Sequence, residues 1–460
     1  MPTSTYQLKR PKNTKIESRR IRNYKIEPIK IMTKINSLTE KINGGNNPLF
    51  KELYGTDAKV LNEQSERYSG LMSEFEKNFG TNDVQLFSSP GRTEIGGNHT
   101  DHNFGRVLAG AVNLDNIAVA AVNGTNTIRI KSAGYPEFQV ELTDFKPNAE
   151  EFYTSTSLVK GIATKMKENG YKIGGFDACI EGRVPKGSGL SSSASFEVLI
   201  GAIMNELFND GKMSAVENAI IGQWSENNYF GKPCGLMDQT ACSVGGLITI
   251  DFKDPAKPIV KEVDFDFVST GFALVITDVG GGHDDAASQA EYASLPTEMK
   301  SVAAQLGAKV LREVTMEQIV ENIPAIRKKT GDRAILRAYH FQGDNARVVE
   351  QVAALENNDF QSFLKMVIES GYSSYMYNQN IFDVVHKDEQ VVSLALALSE
   401  MILKGSGAWR VHGGGFGGTI QAFVPQNKLD EYVKTLEHVY GKGSCHKLFI
   451  RAKGAVKLDL

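Results

Sequence analysis

The stretch Pro185-Lys186-Gly187-Ser188-Gly189-Leu190-Ser191-Ser192-Ser193-Ala194-Ser195 constrains this chain more than any other. Phe176 to Glu181, just before it, read as a strand. The residues after it, through Phe196, Val198, Leu199 and Ile200, read as a helix. Two glycines let the backbone turn tightly and approach a ligand closely. A helix start presents unpaired N–H groups and a partial positive charge, and the serine hydroxyls add donors. Strand, glycine turn and helix N-terminus together describe a phosphate cradle. A Ser-rich N-cap over an ordinary loop has the same composition. The chain contains no GxxxxGK[ST], which separates this stretch from the usual nucleotide loop.

At 460 residues the chain has room for two or three domains. Its 41% apolar and 23% charged residues are those of a soluble globular protein. No apolar run approaches the ~20 residues that span a bilayer. The four cysteines form no CxxC pair, so reduced thiols in a cytoplasmic protein are expected and a zinc site is not. Residues 1–34 hold 10 basic and 2 acidic side chains, leaving 41 basic against 52 acidic for the rest. An acidic body speaks against nucleic acid as a partner. The basic start, with three prolines and few apolar residues, is expected to be a disordered extension over 1–33.

Periodicity predicts helices over 47–55, 58–79, 156–169, 194–208 and 214–229, a mainly helical stretch from 286 to 403, and a helix over 427–440. Strands are expected at 84–87, broken by Ser88-Ser89-Pro90-Gly91-Arg92, and through 106–122. Asn123-Gly124 signals a hairpin into 127–130. Further strands are expected at 138–142, 246–251, 271–277, 408–412, 418–424 and 448–452. The fold class is α/β (α+β) in two domains, 34–268 and 269–460.

Three more segments carry chemistry. Residues 89–105 are dense in groups that bond hydroxyls, among them Asn98, His99, Thr100 and Asp101. A sugar site needs several such fixed donors and acceptors. His99 and Asp101 also suit a metal, or a plain polar loop. In Cys234-Gly235-Leu236-Met237-Asp238-Gln239 the only acid is Asp238, a general base for a hydroxyl or a helix cap. Gly413-Gly414-Gly415-Phe416-Gly417-Gly418 permits close backbone approach, or is a flexible loop.

In order and spacing the chain resembles the galactokinases of the GHMP kinase superfamily. Residues 91–108 are similar to the signature GR-x-N-x-IGEHTDY-x-x-G-x-VL, and Pro185 to Ser195 to the P-x-x-x-GLSSSAS phosphate loop. Residues 234–239 resemble CG-[IL]-MDQ, and 413–418 the GGGFGG loop. The resemblance implies a two-domain fold with the active site in the cleft. It also implies ATP and Mg²⁺, and phosphoryl transfer to the anomeric hydroxyl of galactose. It makes Asp238 the catalytic aspartate and Arg92 its partner. Gly187, Ser188, Gly189, Leu190, Ser191, Ser192, Ser193 and Ala194 become the ATP loop. Ser193 and Glu226 become Mg²⁺ ligands, and Asn98, His99, Asp101, Gly235 and Tyr292 sugar contacts. ATP and a sugar are then the partners, with no nucleic acid and no membrane. A kinase for another sugar and a catalytically idle sugar sensor share the same fold. The chain departs from the signature at Glu94 (Asn in the family), Gly96 (Ile), Asn98 (Glu) and His102 (Tyr). It departs again at 372–380, where the family runs SLRDDYEVS.

Overall fold

The computed structural model describes residues 35–43, 47–80, 83–185, 187–281, 286–382 and 386–460; the extension expected at 1–33 lies outside them. In chain order the strands are β1 (Gln85–Gly96), β2 (Arg106–Val122), β3 (Thr127–Ser132), β4 (Phe138–Glu141), β5 (Phe176–Gly182) and β6 (Leu247–Asp251). They continue with β7 (Ile259–Glu262), β8 (Phe272–Gly280), β9 (Ala408–His412), β10 (Gly418–Pro425), β11 (Cys445–Leu448) and β12 (Val456–Lys457).

Strand β2 organises the larger sheet because its 17 residues are long enough to serve several neighbours. β1 lies antiparallel along one edge. On the other edge β5 pairs with residues 116–122 and β6 with 106–110. The full order is β12-β1-β2-β5-β3-β4, with β6 and β7 branching from β2. Alternation along β2 is strict, yet both faces are covered. Ile117, Val119 and Ala121 pack against Leu61, Tyr68 and Phe75 of the Ala58–Phe79 helix. Ala118 and Ala120 pack against Val159, Ile162 and Leu199 of the Ser155–Glu168 and Ser192–Asn209 helices. The second sheet, β11-β8-β10-β9, is wholly antiparallel. Helices Phe360–Ser373, Val391–Leu403 and Leu429–Tyr440 cover it. The chain changes sheets between Glu262 and Phe272, and its last strand, β12, returns to β1. Among the described residues no helix is long and apolar enough to cross a membrane, and the four cysteines are unpaired.

Several local expectations are corrected. Ser88 to Arg92 does not end a strand. β1 runs through it to Gly96, and the missing Pro90 N–H is absorbed at a register shift between Pro90 and Arg92. Asn123-Gly124 does turn the chain, with Gly124 at φ +71°. However, β2 and β3 do not pair: β5 inserts between them, antiparallel to β2 and parallel to β3. The helix expected over 214–229 is α-helical only over Ala215–Ser225 and closes in a π-helical turn, Glu226–Phe230. The strand expected at 448–452 ends at Leu448, and beyond it only Ile450 bridges Val112.

Candidate active site

β1 carries Arg92 to the centre of the site, and a buried hub holds this strand in place. Asp115 of β2 accepts from Tyr54 Oη (2.7 Å), Arg67 Nη1 (2.5 Å) and Arg451 Nη1 (3.1 Å), and Arg451 also donates to Ser88 Oγ of β1 (2.7 Å). Asp115 titrates low: burial opposes its charge, but the two guanidiniums outweigh that cost. A few residues on, Arg92 meets Asp238 at the first turn of the Met237–Val244 helix. Its Nε and Nη2 donate to the two carboxylate oxygens at 2.8 and 2.7 Å. This bidentate geometry is the strong, orienting form of the pair. Burial works against the Arg92 charge, but Asp238 outweighs it and the guanidinium titrates higher than usual. Ser191 Oγ donates to Asp238 Oδ2, and Arg92 Nη1 to the Gly189 carbonyl. One ion pair thus ties β1, the serine loop and the Asp238 helix together.

The serine loop has the backbone its glycines permit. Gly187 and Gly189 lie at φ +75° and +67°, and Ser191 takes the left-handed region at +59°. The helix then runs from Ser192 to Asn209. The Ser191 side chain makes no cap hydrogen bond to the helix start, which leaves its first N–H groups for a ligand. Leu190 is buried and its carbonyl accepts from Arg92 N at 3.1 Å. Ser188 Oγ donates to Pro185 O at 2.8 Å, and Ser195 Oγ to Ser89 O at 2.8 Å.

Beside Asp238, a Cβ on Gly235 would lie 2.1 Å from Asp101 Oδ2, so only glycine lets that carboxylate reach the turn. His102 Nδ1 bonds Asp101 Oδ1 at 2.7 Å. Burial pushes the Asp101 carboxyl up, but His102 overrides it and brings it down to about 2. His99, at φ +60°, bonds the Gly414 carbonyl through Nε2 at 3.0 Å. A carbonyl only accepts, so Nε2 carries the proton and Nδ1 keeps its lone pair. Burial, then His102, lowers the His99 pKa to about 4, and the ring is neutral at pH 7. Tyr292 meets His99 edge-on at 5.6 Å and packs over Gly414. The glycine loop is therefore no flexible tether. A Cβ on Gly415 would lie 1.7 Å from Asn380 O, which itself accepts from Phe416 N at 2.7 Å.

Glu226 opens the π-helical turn and is buried. Gln239 Nε2 donates to Glu226 Oε2 (2.8 Å) and to Glu197 Oε2 (3.0 Å). Burial raises both carboxyls, Glu197 the more, with Glu226 adding to its shift. Glu197 stands four residues after Ser193, on the same helix face. Its Oε1 is buried without a hydrogen-bond partner among the described residues. Two carboxylates and a hydroxyl are hard oxygen donors and suit Mg²⁺. Glu197 and Gln239 were missed in the sequence; the Ser193–Glu197 helical spacing was the available signal.

Asn98 precedes His99 in the chain. It is fully buried, and its side-chain donors and acceptor all meet protein groups. Hydrogen bonds join Arg92, Asp238 and Ser191, Gly235 packs on Asp101, and His99 packs on Tyr292.

The chain is a kinase phosphotransferase of the GHMP class, and a glycine turn opening a helix beside a bidentate Asp–Arg pair fits that class. Residues 157–246 match the family model for the GHMP kinases N terminal domain, and 73–122 that for the galactokinase galactose-binding signature. A mevalonate kinase crystal structure, 15% identical, shares the fold at a TM-score of 0.57 over 80% of this chain and 99% of that one. A Clostridium tetani galactokinase is 30% identical over 81% of this chain and 92% of its own length. The crystal structure of Lactococcus lactis galactokinase complexed with galactose aligns at a TM-score of 0.73. It is 25% identical and covers 85% of this chain and all of that one. The chain belongs to the galactokinase family.

Proposed function

We propose that this protein transfers the γ-phosphoryl group of ATP to the anomeric hydroxyl of galactose, giving galactose 1-phosphate and ADP, in the cytoplasm. The observation that supports this most is the Asp238–Arg92 pair bonded to the lip of the serine loop, which sets a base beside a phosphate cradle. Asp238 takes the hydroxyl proton as the oxygen attacks phosphorus and the bond from phosphorus to the ADP oxygen breaks. Arg92 orients the Asp238 carboxylate through its bidentate contact and stabilises charge at the transferring group. The N–H groups at the start of the Ser192–Asn209 helix, with Gly187 to Ala194, receive the phosphates. Ser193 and Glu226 would hold Mg²⁺, with Gln239 orienting Glu226; the ion would neutralise phosphate charge. His99 Nδ1, Asp101, Gly235 and Tyr292 form the sugar side. In this reading residues 34–268 bring sugar and phosphate groups, and 269–460 bring Tyr292 and the glycine loop that closes over them.

The test is ADP release against a panel of free sugars, with the product located by ³¹P NMR. A sugar 1-phosphate formed fastest from galactose is the expected result. Turnover confined to another sugar, or none with any, would reject it.

A further inference from the structure

The departures at positions 94, 98 and 372–380 meet at one point. Asn98 Nδ2 donates to Glu94 Oε1 (2.9 Å) and to Gly413 O (2.8 Å). Its Oδ1 accepts from Ser374 Oγ (3.1 Å) and Asn380 Nδ2 (3.0 Å), both within the departing 372–380 stretch. Asn380 Nδ2 also reaches Gly414 O at 3.2 Å. The Asn98 backbone is pinned as well: its N–H donates to Asp344 Oδ2 (3.1 Å), and its carbonyl accepts from His340 Nε2 (2.9 Å). Glu94 Oε1 takes a second bond from the buried Arg410 Nη2 at 2.7 Å. The family signature has Asn at position 94 and Glu at 98. Here the carboxylate and the carboxamide have changed ends of a single hydrogen bond. The negative charge has moved toward Arg410, and the donor has moved toward the glycine loop. A carboxylate at 98 cannot donate to Gly413 O, and it would face the Glu94 carboxylate at hydrogen-bond distance.

We propose that Asn98 is a positioning residue and not a sugar ligand: with Glu94 it forms an exchanged carboxamide–carboxylate pair that fastens the 413–418 loop over the sugar-binding residues. Asn98 grips Gly413, and the next residue, His99, bonds Gly414 on the sugar side. Loss of the Asn98 bond lets Gly414 shift, and with it His99 and Tyr292. The kinetic part of this inference rests on the sugar-kinase reading; the pairing of Glu94 with Asn98 does not.

The experiment is a cycle of Asn98→Asp, Glu94→Gln and the double variant. It is read by melting temperature of the ligand-free protein and by KM for galactose and for ATP. Asn98→Asp places the family's acidic group type at 98. A sugar-contact role predicts a lower KM for galactose. The positioning role predicts a rise of roughly tenfold or more, with KM for ATP within about twofold. It also predicts a fall in melting temperature of about 3 °C or more, partly recovered when Glu94→Gln is added, because one of two facing carboxylates is then removed. A lower KM for galactose in Asn98→Asp overturns the proposal, and so does a double variant that melts no higher than Asn98→Asp. Should Asn98→Asp not fold, Asn380→Ser removes a donor to Asn98 without adding charge. It should raise KM for galactose by roughly threefold, and an unchanged KM overturns the proposal. If the parent protein turns over no sugar, the function proposed above fails, while the melting cycle still decides the pairing.

Discussion

Replacing Asp238 by Asn tests the base assignment with little disturbance of shape. Asp238 receives three donors, Arg92 Nε and Nη2 and Ser191 Oγ. An Asn side chain keeps one acceptor for Arg92 and can turn its NH₂ toward Ser191. The pair then loses one charge-assisted bond, about 1–2 kcal/mol, which a protein of this size tolerates. The serine loop keeps Leu190 buried and its bond to Arg92 N, so the phosphate cradle is left standing. What disappears is proton removal from the sugar hydroxyl. General-base catalysis is worth about 10²–10⁴ in rate, or about 3–5 kcal/mol of barrier. Steady-state kcat with galactose and saturating ATP should fall by at least that factor, while the Kd for ATP by calorimetry stays within about threefold. A kcat near that of the unaltered protein would refute the reasoning. A parallel loss of ATP binding would show that Asp238 supports the loop instead of acting on the sugar.

Ser193→Ala and Glu226→Gln should each raise the Mg²⁺ concentration at half-maximal rate by roughly tenfold; an unchanged Mg²⁺ titration in both would remove them from the metal site. Gly235→Ala sets a methyl 2.1 Å from Asp101 Oδ2 and should raise KM for galactose while KM for ATP holds; equal kinetics would place Asp101 outside the sugar site. His99 titrates near 4 when folded, against about 6.5 unfolded, so its contribution is complete above pH 6.5 and is lost as pH falls from there toward 4. That linkage amounts to about 3 kcal/mol. Melting temperature should therefore fall less steeply over this range in His99→Gln, which cannot take up the proton, and an identical slope would reject the assignment.

The elements that were legible in the sequence are those whose causes are local. The long helices at 58–79 and 155–168 follow from apolar periodicity, and the serine loop from two glycines between a strand and a helix. The misreadings lie where a distant partner decides. Ser88 to Arg92 carries every local mark of a chain break, yet it runs as strand because β2 supplies a neighbour along its whole length. Asn123-Gly124 marks a turn correctly but not what pairs across it, because the Ser155–Glu168 crossover brings β5 between the two strands. At the site, only the fold brings Glu197 and Glu226 together, through the Gln239 amide.

The sequence by itself determined the strand, glycine turn and helix of the serine loop, the order of the motifs and the residue types they carry. These depend on backbone conformations and side-chain groups that each short stretch carries within itself. The tertiary structure alone decided which groups meet. Arg92 and Asp238 stand 146 positions apart, and only the packing of β1 against the Met237–Val244 helix makes them a pair. It also decided that Asn98 faces Glu94 and Gly413. A carboxamide offers donors and an acceptor to whatever surrounds it, so its identity leaves open whether it serves a substrate or the fold. Burial and neighbours are what a reading of its role rests on, and both are properties of the folded chain.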